Sequence, residues 1–151
     1  DMAILIEPIV LNDVEVLSLP REENWGFLAS KELFIANKNA LRPEDIKGLP
    51  ILCSGRSEVQ KLLAEWSKIP YDQLNIVGNY NLIFNILPLV DHKVGMALAI
   101  EGAISDRKLE NTVFIPLDPV VKTNCVLVWK KRVQTPAAQE LINRFKHAFK
   151  L

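Results

Sequence analysis

The residues best suited to binding chemistry are Ser54-Gly55-Arg56-Ser57. They follow Pro50-Ile51-Leu52-Cys53, an apolar run that reads as a buried strand. They precede Val59, Leu62, Leu63 and Trp66, whose i, i+3, i+4, i+7 spacing predicts a helix over about 57–68. Ser57 with Gln60 three residues on has the form of a capping box. A strand that turns abruptly into a helix offers backbone N–H groups and a helix dipole to an anion or a polar oxygen, worth ~0.3–1 kcal/mol at an exposed site. Gly55 permits close approach to the backbone, the serines add hydroxyls, and Arg56 adds a forked cation. The alternative is an ordinary strand-to-helix turn with serine as cap and arginine in solvent. Glu7 ends the apolar run Met2–Ile6 just before Pro8, at the carboxyl end of a strand, where ligands of open α/β sheets collect. Cys53 as a nucleophile would need a base within reach. The only histidines are His92, in a polar turn, and His147, on the last helix, and neither is expected near it. No enzymatic activity is therefore expected.

The totals bound the rest. At 151 residues the chain holds one ordinary domain or two small lobes, and 49% hydrophobic with 24% charged residues suits a packed core. With 18 basic and 18 acidic residues, nothing suggests a nucleic-acid-binding surface. Cys53 and Cys125 lie in apolar runs and read as buried free thiols of a reducing cytosol. No Cys/His cluster suggests a metal site, and no cofactor is implied. No apolar run reaches the ~18 residues needed to span a bilayer, so no membrane partner is expected.

Around the turn, alternating strands and helices predict a parallel or mixed α/β sheet. Met2–Ile6 reads as a buried strand of the parallel type, and so central a strand at residue 1 suggests sequence missing upstream. Val14–Pro20 reads as a half-exposed strand or crossover, Arg21–Asn24 as a polar turn and Trp25–Ser30 as another strand. Further strands are expected over 74–79, 94–100 and 124–130, and a strand or crossover over 113–117. A buried helix, kinked or shortened by Pro88, is expected over 81–90. Thr135-Pro136 reads as N-cap and first residue of a last helix, with Ala138, Leu141, Ile142, Phe145, Ala148 and Phe149 as its apolar stripe.

Taken in order, these pieces resemble the effector-binding domain of LysR-type transcriptional regulators. Asp1-Met2-Ala3-Ile4 is similar to that family's leucine-aspartate-leucine-alanine-isoleucine strand. Asn39-Ala40-Leu41 through Glu44-Asp45-Ile46 to Leu49-Pro50-Ile51-Leu52 is similar to its passage from a histidine-proline-leucine to a proline-leucine-isoleucine strand. Val90 to Ile100 is similar to its glycine-x-glycine passage, and Val126–Lys131 with Thr135-Pro136-Ala137-Ala138 to its final strand and helix start. Asn39 replaces the usual histidine, Ala97 the second glycine, and Glu101 falls near the usual proline.

The resemblance implies a periplasmic-binding-protein-like (type 2), two-lobe, Rossmann-like α/β fold. Residues 14–120 would form a complete second lobe, and residues 1–13 and 121–151 part of the first. The helix-turn-helix DNA-binding domain would lie outside this chain. It implies effector sensing in the cytoplasm, by a full-length protein that binds DNA through that domain and forms a homodimer or homotetramer. It places a small polar metabolite with an acidic group between the lobes, held by Ser54, Gly55, Arg56 and Ser57. Ile6 and Glu7 would line the mouth, Glu7 pairing with Arg56 or receiving a cationic group. Asn79 and Tyr80 would face the same cleft or form a polar turn. Gly95 and Met96 would be its floor or plain core. The alternative is a solute-binding protein of a transporter with the same fold.

Overall fold

The computed structural model describes residues 2–107 and 109–151; Asp1, the first residue of the opening motif, lies outside them. The chain forms two compact units, Asp1–Glu22 with Thr123–Leu151, and Glu23–Lys122.

In the first unit, β1 (Met2–Ile6) pairs with β7 (Lys122–Lys130), from Met2 opposite Trp129 to Ile6 opposite Cys125. The pairing is antiparallel, and Ile4 is 57% exposed, where a buried parallel strand was expected. An all-apolar run carries no record of its partner's direction. α3 (Pro136–Phe149) starts where Thr135 caps it, its side chain accepting from the Ala138 N–H at 3.3 Å, with Pro136 at the first turn. Ile142, on the predicted stripe, is its buried residue.

The second unit is built on the carboxyl half of β2 (Val14–Ser30), which is almost wholly buried, together with β3 (Ile51–Ser54), β4 (Ile76–Tyr80), β5 (Met96–Ile100) and β6 (Thr112–Pro116). β2 pairs antiparallel with β5 and β6, and β3 lies parallel between β4 and β5. Alternate residues divide this sheet into two faces. Phe27, Cys53 and Leu98 face one core with Val59, Leu63 and Trp66 of α1 (Ser57–Ser67). Leu28, Leu52 and Ala97 face the other with Ile86 and Val90, of and beside α2 (Leu87–Asp91).

Two expectations fail here. Arg21–Asn24 is no turn: β2 runs through it unbroken. Arg21 and Glu22 are exposed, which an antiparallel strand tolerates, and Glu23, though buried, accepts a hydrogen bond from the Gly102 N–H at 2.9 Å. Residues 81–90 are not one helix but a 3-10 turn (Ile83–Asn85) followed by α2. Pro88, having no N–H to donate, fits the first turn of α2 and starts that helix instead of kinking a longer one.

Candidate functional site

β3, β4 and β5 run parallel and therefore finish at one edge of the second unit. The segments that follow them diverge. β3 leads into α1 on the first face, whereas β5 leads to Ile104 in the second core. Adjacent parallel strands whose continuations leave on opposite faces open a crevice at their carboxyl ends, the place where open α/β sheets take ligands. Ladder pairing between β3 and β5 ends at Leu52–Ala97, two residues short of Ser54.

Ser54 closes β3 and Gly55 begins the turn. The Gly55 N–H donates to the Tyr80 carbonyl at 3.0 Å, and the Arg56 N–H to the Ser54 hydroxyl at 3.2 Å. The helix cap is Arg56 and not Ser57, with no side-chain cap bond. The Ser57–Gln60 capping box does not form, because the Gln60 amide donates to the Ser54 carbonyl at 3.2 Å. Ser57 is instead the first helical residue. Its N–H and that of Glu58 have no acceptor among the described residues, so the first turn of α1 keeps donors for a ligand. A Cβ on Gly55 would lie 3.4 Å from the Asn81 side-chain oxygen, which places that amide at the turn.

Tyr80 pairs with Ser54, and Asn79 with Cys53. The Tyr80 ring packs into the second core and its hydroxyl donates to the Leu98 carbonyl on β5. Burial, reinforced by nearby Cys53, pushes this hydroxyl well above the ordinary tyrosine range. Met96 N–H donates to the Pro50 carbonyl at 2.9 Å, so Leu98, two residues on, also aims its peptide groups toward β3. Tyr80 thus meets a backbone carbonyl beyond the last ladder pair and ties β4 to β5. Asn79 accepts from the Tyr71 hydroxyl at 3.3 Å. Burial raises the Cys53 thiol, which also bonds to Tyr71; burial and Cys53 together push Tyr71 up to about 12. Such a thiol stays protonated, the opposite of an activated nucleophile.

Gly95 and Met96 are placed elsewhere. Met96 pairs with Ile51 at the start of β3, three residues or roughly 10 Å from Ser54 along the strand. The structure therefore does not bring them together with the turn; both line a cavity at the opposite edge. Ile6 and Glu7 belong to the first unit. There the Glu7 N–H donates to the Asn124 carbonyl at 3.0 Å, and the Glu7 carbonyl accepts from the Thr123 hydroxyl.

The crevice edge also holds residues that periodicity passed over. Glu23 reaches Gly102 so closely that a Cβ there would meet its carboxylate at 2.3 Å. The Asn24 amide donates to Glu101 at 3.2 Å. These two contacts fasten the turn after β5 to β2. The polar run Arg21–Asn24 carried their signal, but nothing in it distinguishes a buried carboxylate from a solvated one.

An α/β unit with a sharp strand-to-helix turn at a switch point is a ligand-binding architecture of the Rossmann-like kind. Residues 1–150 match the family model described as LysR substrate binding domain, and the chain belongs to that family. No curated protein matches it significantly. HinK, a LysR family transcriptional regulator from Pseudomonas aeruginosa, shares the fold with a TM-score of 0.73 at 16% identity, over 98% of this chain and 52% of that one. The Synechocystis PCC6803 CcmR regulatory domain, in complex with 2-PG, matches at 0.77 and 11% identity, over 99% of this chain and 74% of that one. Full-length CbnR, complexed with its target DNA, matches at 0.77 and 10%, over 99% of this chain and 53% of that one. The chain thus spans about half the length of these two longer regulators. The mixed α/β fold is the periplasmic-binding-protein-like, type 2 fold of the family.

Proposed function

We propose that this chain is the effector-sensing part of a LysR-type transcriptional regulator. Its effector is a small polar metabolite bearing an acidic group. Ser54-Gly55-Arg56-Ser57 receives that group: the unshared N–H groups of Ser57 and Glu58 donate to the anion, the α1 dipole favours it, and Gly55 leaves room for it. The Arg56 guanidinium adds charge at the cap position. Asn79, as a strand-end neighbour, is a secondary contact. Binding acts by differential affinity for two arrangements of the protein, which shifts their populations. The intact protein reads DNA through a helix-turn-helix domain outside this chain, as a homodimer or homotetramer in the cytoplasm.

The observation that carries this reading is the turn after β3, with donors to spare at a switch point, in a chain of the LysR substrate-binding family. That family membership favours a regulator over a transporter's solute-binding protein. The test is operator binding by the intact protein across a panel of small mono- and dicarboxylates. At least one acid should change DNA affinity in the wild type, and not in the Ser54→Ala/Arg56→Ala variant. An acid that acts equally on both would refute the site.

A further inference from the structure

The second unit holds a cavity of about 450 Å³ at the amino ends of β3 and β5, remote along the strands from the turn at Ser54. Its walls are apolar: Leu33, Ile35, Leu49, Pro50 and Met96. Phe34 stands at its rim, 86% exposed, on the 3-10 turn Phe34–Asn37. Phe34 extends the apolar surface of the hollow outward. The size lies within the ~300–1,000 Å³ of small-molecule sites.

The polar lining consists of Lys38, Asp45 and Lys93, and with Glu32, the partner of Lys93 just outside it, the mouth carries two lysine–carboxylate pairs. Asp45 is already satisfied on both oxygens. One accepts from Lys38 at 2.7 Å and the other from the Arg42 N–H at 2.8 Å, and this pairing holds its carboxyl below the usual range. It therefore offers a ligand little. Lys93 donates to Glu32, which lies outside the lining and is 68% exposed. Such an exposed pair is weak, and the ammonium keeps further protons to donate. An apolar body with one anionic group complements these walls and the spare ammonium donors.

We propose that this cavity is a second small-molecule site, for an aromatic or branched aliphatic monocarboxylic acid. The hydrocarbon lies against Leu33, Leu49 and Met96 under Phe34, and the carboxylate meets Lys93 and Lys38. The site is separate from the effector turn, and neither depends on the other.

Met2 and Met96 are the two methionines of the chain, and only Met96 lines the cavity. The full chain, labelled with ¹³C at the methionine methyls and assigned with Met96→Leu, is titrated with 3-phenylpropionate. The Met96 methyl should shift saturably while Met2 stays in place. The neutral 3-phenylpropanamide, and the surface variant Lys93→Gln, should each weaken binding about tenfold, the loss expected for one charge-assisted hydrogen bond. Acetate should have no effect, and Arg56→Ala should leave the titration unchanged. An unmoved Met96 methyl at millimolar acid would overturn the proposal. So would equal binding of acid and amide, which would mark the cavity as merely greasy. Loss of the shift in Arg56→Ala would assign the signal to the effector turn and equally overturn the second site.

Discussion

Replacing Tyr80 by phenylalanine removes one oxygen and leaves the packed ring in place. That oxygen donates to the Leu98 carbonyl, at a point where β5 no longer pairs with β3. Leu98 is wholly buried, so no water replaces the lost donor. A buried acceptor left unsatisfied costs about 1–3 kcal/mol, and no cavity term is added because the ring volume is unchanged. For a chain of this length each kcal/mol lowers Tm by about 2–4 °C, so Tyr80→Phe should melt roughly 2–12 °C lower. Urea titration of the same pair should move the midpoint without changing the slope, since no surface is newly exposed. Binding of any acid found to occupy the Ser54 turn should be nearly unaffected, because Tyr80 offers that turn only its backbone carbonyl. A midpoint shift below about 0.5 kcal/mol would refute the support assigned to this hydroxyl. A large loss of acid affinity at unchanged stability would return the Tyr80 side chain to the binding site.

Three further outcomes are expected. In Gly26→Ala a Cβ would lie 2.4 Å from the Ile115 carbonyl and 2.4 Å from the Phe114 ring, so β2 and β6 must part; a loss of about 1–3 kcal/mol or more is expected by urea unfolding, and a neutral result would contradict that packing. Tyr71 has its pKa raised from 10.0 to about 12, so the folded form keeps a proton that the unfolded form loses first; stability is complete below about pH 9 and falls between roughly 10 and 12. Tyr71→Phe should flatten that slope, and a urea midpoint that rises with pH would be incompatible with it. Thr135→Ala removes the α3 cap and should cost about 0.5–2 kcal/mol, read as a loss of protection in hydrogen exchange over the first turn of the helix; unchanged protection would show the cap to be idle.

Much of this fold can be read from residue types because the elements that matter repeat with clear periods. α1 announces itself through Val59, Leu63 and Trp66, and α3 through Thr135-Pro136 and its stripe. The switch point can be inferred once β3, α1 and β4 are placed in sequence. What escaped depended on partners far along the chain. Glu23 is buried because Gly102, 79 residues away, supplies a donor, and no local pattern reveals that. The direction of β1 rests on β7, more than a hundred residues on. Gly95 and Met96 sit next to strand residues that do reach the turn, but at the opposite end of the same strand. Their distance from Ser54 follows from the register of β3 on β5, which composition does not encode. The capping box at Ser57 had the right letters, yet Gln60 found a nearer acceptor in the Ser54 carbonyl.

The central claim is that an acidic small molecule occupies the Ser54-Gly55-Arg56-Ser57 turn, and native mass spectrometry of the intact protein from its own cells tests it most directly. The wild type should carry a bound small acid that is missing from the Ser54→Ala/Arg56→Ala variant. A bound molecule retained undiminished by that variant would contradict it.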